Sequence, residues 1–346
     1  MYSPTGLIQF SKYTLVLVIL GLCAACAEDT AQSRLEQVKK RGFLTCGIWP
    51  GIPGFSSVDD NGRYQGIDIE VCRAMSAAIF GNPDSVNYVT AKSVEQLHYD
   101  DELDIVSRRI TWSLSRSAEN RLIFGPVIFY DGQGFLVPKR LGIESIEQMA
   151  GSSVCVQSVE NHAATLATYS IANDLNITGV PIDNNEDVNF FFKTGRCIAY
   201  SADVSLLGAA KLELGENPED FIILPKMISK EPLAPLVRMD DDQFFEILRW
   251  TIFAMIAAEE FGITSKNIDS MLENKSLEIR LLLGVVPGNG SALGLNENWA
   301  YKVIKNIGNY GEMFDRNIGS DSDIKLERGI NKSWDKGGLM FAPRLR

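Results

Sequence analysis

The sequence predicts an α/β fold in two lobes, the second inserted into the first so that the chain crosses between them twice. Three observations lead there. Short apolar runs alternate with helix-periodic segments between residues 33 and 107, the pattern of helices layered on a sheet. A second, self-contained alternation of the same kind occupies about 138–227. The helix-periodic stretch 241–261, preceded by the run 231–238, has no strands of its own, so it is expected to return to the first sheet. The expected division is therefore 28–137 plus 228–346 for the first lobe and 138–227 for the second. One lobe inserted in another, with two crossings, is the architecture of a hinged clamp.

Residues 33–41 have helical spacing and stop at Gly42. Phe43-Leu44-Thr45-Cys46-Gly47-Ile48 follows as a buried strand. Asp59-Asp60-Asn61-Gly62 reads as a hairpin turn with 64–69 as its return. A helix over 69–80 closes at Gly81, and strand 86–89, helix 93–99 and strand 103–107 complete the first cycle. Strand 134–137 ends at Pro138. The second cycle then runs as helix 145–149, strand 153–157, helix 163–172, strand 180–182, helix 186–194, strand 198–201, helix 204–212 and strand 222–224. Asp240-Asp241-Asp242 places negative charge at the start of the 241–261 helix, where it complements the helix dipole. Three consecutive aspartates have the wrong spacing for a calcium loop. Within that helix Glu246, Arg249, Glu259 and Glu260 interrupt the apolar run, which makes it a buried amphipathic helix and not a membrane span.

Lys12, the apolar run 14–22 and the small residues Ala24, Ala25 and Ala27 predict a signal peptide over 1–27, with a lipid-modified Cys26 as the second reading. Export to the periplasm is the expectation. The net charge of −11 disfavours nucleic acid and anionic lipid as partners, and a monomer is expected. Outside the leader four cysteines remain: Cys46, Cys72, Cys155 and Cys197. An even number in an oxidising compartment suggests disulfides, for which four cysteines allow three pairings. If each pair sits within one lobe, the pairing is Cys46 with Cys72 and Cys155 with Cys197. No Cys-x-x-Cys or paired-histidine spacing calls for a metal, and no cofactor is expected. The two histidines, His98 and His162, are read as solvated or capping residues.

Several stretches carry a family resemblance. They include Gly51-Ile52-Pro53-Gly54-Phe55-Ser56, Gly66-Ile67-Asp68-Ile69-Glu70-Val71-Cys72-Arg73-Ala74, Thr111-Trp112-Ser113-Leu114-Ser115-Arg116 and Phe129-Tyr130-Asp131-Gly132-Gln133-Gly134-Phe135. Further on come Ile228-Ser229-Lys230-Glu231-Pro232-Leu233, Asn309-Tyr310-Gly311-Glu312 and Trp334-Asp335-Lys336-Gly337-Gly338-Leu339. In these the chain resembles the general L-amino-acid-binding periplasmic proteins of bacterial ABC importers, the polar amino-acid branch of solute-binding protein family 3. The resemblance implies a periplasmic-binding-protein-like clamp that captures a small polar ligand, expected to be an L-amino acid, and hands it to a membrane permease. It also implies that Arg116 and Thr111 hold or flank an α-carboxylate and that Asp203 takes an α-ammonium from across the cleft. Ile52 and Trp112 match wall positions. A zwitterion taken out of water needs such partners, and the planar fork of arginine suits a carboxylate. Read without the resemblance, Arg116 is a surface arginine, Asp203 an N-cap for the helix from 204, and Ile52 and Trp112 core residues.

The pattern breaks in two places. The family's Gly-Thr-Thr type turn is replaced by Ser158-Val159-Glu160-Asn161-His162, and Arg109-Ile110 stand where small polar residues are usual before Thr111. A β-branched Val159 resists the positive φ that glycine adopts. Glu160 and Asn161 remain candidate ligand contacts, and an Arg109–Glu160 ion pair across the cleft is expected. Arg109 adds a cation that favours an anionic ligand. Three functional classes follow: the binding component of an importer, a ligand-sensing or degenerate relative of it, and an enzyme on the same clamp. The last would need a tuned acid–base pair in the cleft, and no matched pair is visible.

Overall fold

The computed structural model describes Met1 and residues 32–119, 122–158, 161–214, 217–239 and 241–346. The expected leader, Val159, Glu160, Asp240 and the side chain of His98 lie outside the described residues. Ser33 and Glu36 form a reciprocal capping box that starts helix α1 (Arg34–Arg41), and Gly42 ends it in the left-handed conformation. The chain then enters β1 (Leu44–Ile48), buried at every residue. The short hairpin β2 (Ser57–Val58) and β3 (Tyr64–Gln65) is closed by Asp59, whose Oδ1 accepts the backbone N–H of Asn61 and Arg63. Helix α2 (Ile67–Phe80), β4 (Val86–Thr90), β5 (Ile105–Val106), helix α3 (Leu114–Glu119) and β6 (Leu122–Phe124) complete this part.

The chain leaves along β7 (Phe129–Asp131) and builds a second unit. Its elements are β8 (Gln133–Pro138), β9 (Ser153–Gln157), α4 (His162–Ala172), β10 (Thr178–Ile182), α5 (Asn185–Thr194), β11 (Ala199–Asp203), α6 (Val204–Glu213) and β12 (Phe221–Ile223). It returns along β13 (Glu231–Leu233), which pairs antiparallel with β7, and adds β14 (Leu236–Arg238) to the first sheet. The sheet orders are β4-β1-β5-β14-β6 and β10-β9-β11-β8-β12. In each, three parallel strands at one edge are followed by one antiparallel strand, β14 or β8, and an outer strand, β6 or β12, that pairs antiparallel with it. Both faces of the second sheet are covered, which the period-two alternation of strand side chains requires. Phe135, Val137, Val154 and Val156 face one apolar layer, and Leu136, Cys155 and Tyr200 face the other. The fold is thus a mixed α/β, two-lobed clamp with two crossings.

One expectation is corrected. Residues 133–138 belong with the second sheet, where β8 pairs with β11 and β12, so a boundary at 137/138 would cut a strand. Pro138 ends that strand without ending a lobe. The change of lobe falls at Gly132, where a Cβ would lie 2.6 Å from the Ser229 carbonyl oxygen; the two crossing segments pass too closely for any side chain there.

Disulfides join Cys46 to Cys72, tying β1 to α2, and Cys155 to Cys197, tying β9 to the approach of β11. Beyond α7 (Asp242–Glu260), whose start is capped by Asp241 accepting from Phe244 N–H, the chain forms α8 (Trp299–Ile307) and α9 (Tyr310–Asn317). The C-terminal segment grips the crossing strand β7. Tyr310 Oη donates to the Ile128 carbonyl at 2.9 Å. The Asn331 side chain accepts from Tyr130 N–H at 2.7 Å and donates to the Tyr130 carbonyl at 3.0 Å. Among the described residues no helix is long and apolar enough to cross a membrane.

Candidate functional site: an interlobe cleft

Open α/β sheets bind ligands beyond the carboxyl ends of their parallel strands. In this chain the segments leaving those ends converge on one cleft of about 600 Å³. Trp49 and Ile52 follow β1, Lys92 to Glu95 follow β4, and Arg108, Arg109 and Ile110 follow β5. Arg116 comes from α3. From the second lobe Gln157 ends β9, His162 begins α4 and Leu206 lies in the first turn of α6. A separate groove of about 580 Å³ is bounded by β12 and residues 324–331. It takes in Phe129, Tyr130 and Val204 but none of the segments that leave the parallel strands of the first sheet, so the interlobe cleft is the candidate site.

Four cations line this cleft: Lys92, Arg108, Arg109 and Arg116. Glu95 is the one acidic residue among its described lining residues. Arg108 lies over the Trp49 ring at 5.1 Å from its centroid. Burial, with the neighbouring Asp68 acting against it and Arg116 with it, holds the Arg108 guanidinium below its ordinary pKa. Arg109 is 9% exposed, lies 5.3 Å over Phe55, and donates from Nη2 to Asp203 Oδ2 at 2.7 Å. The same Nη2 is 3.5 Å from Asp131 Oδ2.

Beneath the cleft sits a buried polar cluster. Asp203, 3% exposed at the end of β11, meets Arg109 through one oxygen and His162 Nε2, at 3.0 Å, through the other. Burial opposes its ionisation, but the His162 hydrogen bond and the Arg109 charge outweigh it, and the carboxyl is held below its usual range. Asp131, at the crossing, accepts from Gly132 N–H at 2.9 Å and from the N–H and hydroxyl of Ser205. Burial, and then the nearby Asp203 carboxylate, push Asp131 upward against the pull of Arg109. Asp68 lies under the same loop, accepting from Ser107 Oγ at 2.8 Å, and burial raises its carboxyl to about 6.

The expected site residues divide. Ile52, Arg109 and Arg116 line the cleft, and Asp203 lies directly below it. Asp203 occupies the N-cap position of α6 without a side-chain cap hydrogen bond; its carboxylate is engaged by Arg109 and His162 instead. Arg116 is exposed and donates to the Thr111 carbonyl at 2.9 Å. The cation that meets Asp203 is Arg109, where the expectation had Arg116 opposite it. Thr111 directs its hydroxyl to Glu231 on β13 at 2.7 Å. Trp112 is not on the cleft wall: it stacks on Phe124 at 6.0 Å, its backbone N–H held by the Pro232 carbonyl, and Trp49 supplies the indole instead. Asn161 stands before α4 without capping it. Glu160 lies outside the described residues, so its expected pairing with Arg109 does too. His162, read as solvated or capping, is buried against Asp203. Asp131, Ser205, Arg108, Lys92 and Gln157 were not singled out. Of these, Arg108 and Lys92 stand just beyond predicted strands, Gln157 ends one, Ser205 lies in the predicted 204–212 helix, and Asp131 belongs to a stretch that carries the family resemblance. Among the described residues no group of three His, Cys, Asp or Glu side chains is placed to hold a metal.

Two α/β lobes around a cation-lined cleft define a ligand-binding clamp. The chain belongs to the bacterial extracellular solute-binding proteins, family 3, whose model matches residues 44–268. It is 42% identical over 332 residues to the general L-amino acid-binding periplasmic protein AapJ of Rhizobium johnstonii, covering 95% of this chain and 96% of that one. It is 41% identical to the glutamate/glutamine/aspartate/asparagine-binding protein BztA of Rhodobacter capsulatus, covering 94% of this chain and 97% of the relative. Among solved structures, a periplasmic binding protein of an ABC transporter from Brucella ovis, with glutathione bound, superposes with a TM-score of 0.79. It shares 40% identity over 91% of this chain and 99% of its own.

Proposed function

We propose that this chain is the ligand-capturing component of an ABC importer of the amino-acid type, working in the periplasm and closing its lobes on a small polar ligand that carries a carboxylate. The observation that carries this reading is the convergence of Lys92, Arg108 and Arg116 from one lobe with Gln157 and His162 from the other at the carboxyl ends of strands. A carboxylate removed from water needs such cations and donors. The ligands in the names of the relatives, amino acids and glutathione, all bear one. In this reading Arg116 and Arg108 grip the carboxylate, and 132–228 moves against the remainder about the β7–β13 crossing. The partner is a membrane permease, and the protein acts as a monomeric binder, with no cofactor and no turnover. The predicted leader directs export, with a lipid anchor at Cys26 as the alternative end of that leader.

A thermal-shift screen of the purified protein tests this. The probes are L-glutamate, L-glutamine, L-aspartate, L-asparagine, glutathione and C4–C5 dicarboxylates. A probe at about 100 times its Kd adds about 2.7 kcal/mol of stability. Absence of a shift with every carboxylate would refute the reading.

A further inference from the structure

Resting on the reading of the cleft as a ligand site, we propose that Arg109 is a built-in occupant of the cleft's buried acidic position. The ligand is then a small dicarboxylate without an ammonium group, and not a zwitterionic amino acid.

The geometry carries the first part. Both oxygens of Asp203 are engaged by the protein itself, Oδ2 by Arg109 and Oδ1 by His162. A ligand ammonium seeking that carboxylate would have to displace a guanidinium that is itself 9% exposed and has Asp131 as its second anion at 3.5 Å. A buried charge deprived of its partner is strongly unfavourable. The backbone supplies an independent sign. Arg109 has φ 54, in the left-handed region that bulky side chains avoid and that glycine and asparagine enter readily. Strain of this kind persists where the surroundings enforce it, and it clusters at ligand sites. Here the head group's place between Asp203 and Asp131 is what holds it.

The cleft wall carries the second part. With Arg109 committed to Asp203, Lys92, Arg108 and Arg116 still face the cavity, against Glu95 alone among the described lining residues. Arg108 Nε is buried without a hydrogen-bond partner among the described residues, so a donor remains for an incoming acceptor. Two arginines on separate segments, after β5 and on α3, suit two carboxylates. Among the described lining residues no buried carboxylate answers an ammonium; Asp68, whose Oδ2 is buried without a hydrogen-bond partner, does not line the cleft.

Glutarate and L-glutamate differ only by the α-ammonium, which makes them the deciding pair. Titration calorimetry on the purified protein should give a Kd for glutarate at least tenfold below that for L-glutamate. Arg109→Asn, which tolerates the same backbone, should reverse the order by freeing Asp203. Arg109→Lys, which keeps a cation there, and Glu160→Gln should both retain the parent order. A parent protein that binds L-glutamate as tightly as glutarate, or more tightly, overturns the proposal while leaving the importer reading intact. If the parent binds none of glutarate, succinate, L-glutamate and L-glutamine, the proposal falls whatever the variants do. The ligand-capture reading falls with it only if L-aspartate, L-asparagine and glutathione also fail to bind the parent.

Discussion

Asp68→Asn should remove a pH dependence that the wild-type chain carries between about pH 4 and pH 6. Asp68 lies in the first turn of α2, 1% exposed, with Ser107 Oγ donating to it at 2.8 Å. Burial is the largest influence on it; the Ser107 hydrogen bond and the Arg109 and Arg108 charges oppose burial without cancelling it, and the carboxyl rises from 3.8 to about 6. The folded protein therefore holds this proton more tightly than the unfolded chain does. The stability that Asp68 contributes is fully present below about pH 4 and is lost as the pH rises through about 6. A rise from 3.8 to about 6 corresponds to about 3 kcal/mol. Asparagine cannot ionise, so the stability of the parent minus that of Asp68→Asn should fall by about 2.5 kcal/mol between pH 4 and pH 7. In melting temperature this is about 5 °C for a chain of this size. Urea unfolding of both proteins at half-unit pH steps measures the difference, in which every other titrating group cancels. A difference that stays flat, or one that rises with pH, would refute the assignment of a burial-dominated carboxylate under the cleft loop.

Two further outcomes follow from the geometry. Arg116→Ala should leave stability within about 0.5 kcal/mol, because the residue is exposed and gives up a single hydrogen bond to the Thr111 carbonyl. The same change should weaken calorimetric binding of a carboxylate ligand by about 2 kcal/mol, roughly thirtyfold. Asn331→Ala should cost about 3 kcal/mol, since it strands both the N–H and the carbonyl of Tyr130 on the crossing strand. Hydrogen exchange at the Tyr130 amide should accelerate accordingly, and an unchanged exchange rate would show that the C-terminal segment does not restrain the crossing.

What was legible in the sequence was local. β1, β9 and β11 are apolar runs between turn signals, and the 59–62 turn names its own hairpin. Arg116, Ile52 and Asp203 stand at motif positions that the fold carries to the cleft. What was not legible depends on partners far away along the chain. Arg109 meets Asp203 across 94 positions, and Asn331 meets Tyr130 across 201. His162 looks like an ordinary helix-start residue until β11 sets Asp203 against it. The lobe boundary was misplaced because Pro138 punctuates a strand as clearly as it would a domain, and only sheet pairing tells the two apart. Trp112 and Trp49 are equally plausible wall residues by composition. The backbone pairing of 110–112 with β13 and 234, through Trp112 N–H to Pro232 and Ala234 N–H to Ile110, turns Trp112 toward Phe124.

Arg109 shows how one substitution rewrites a site without altering the fold around it. β5 ends at Val106, and the loop that follows must turn back at once to put Ile110 and Thr111 beside β13. In that turn residue 109 has φ 54. A small polar residue there would satisfy the turn and leave Asp203 facing the cavity with His162 alone. An arginine satisfies the turn only at a steric cost, and its length brings the guanidinium between Asp203 and Asp131. The cost is borne because the ion pair compensates it, and that pair joins a first-lobe loop to a second-lobe strand. The sequence change that is least favourable for the local backbone is therefore the one that most alters the electrostatics of the cleft. It turns a carboxylate that could face a ligand into part of the protein's own charge network, and leaves the remaining arginines to choose what binds.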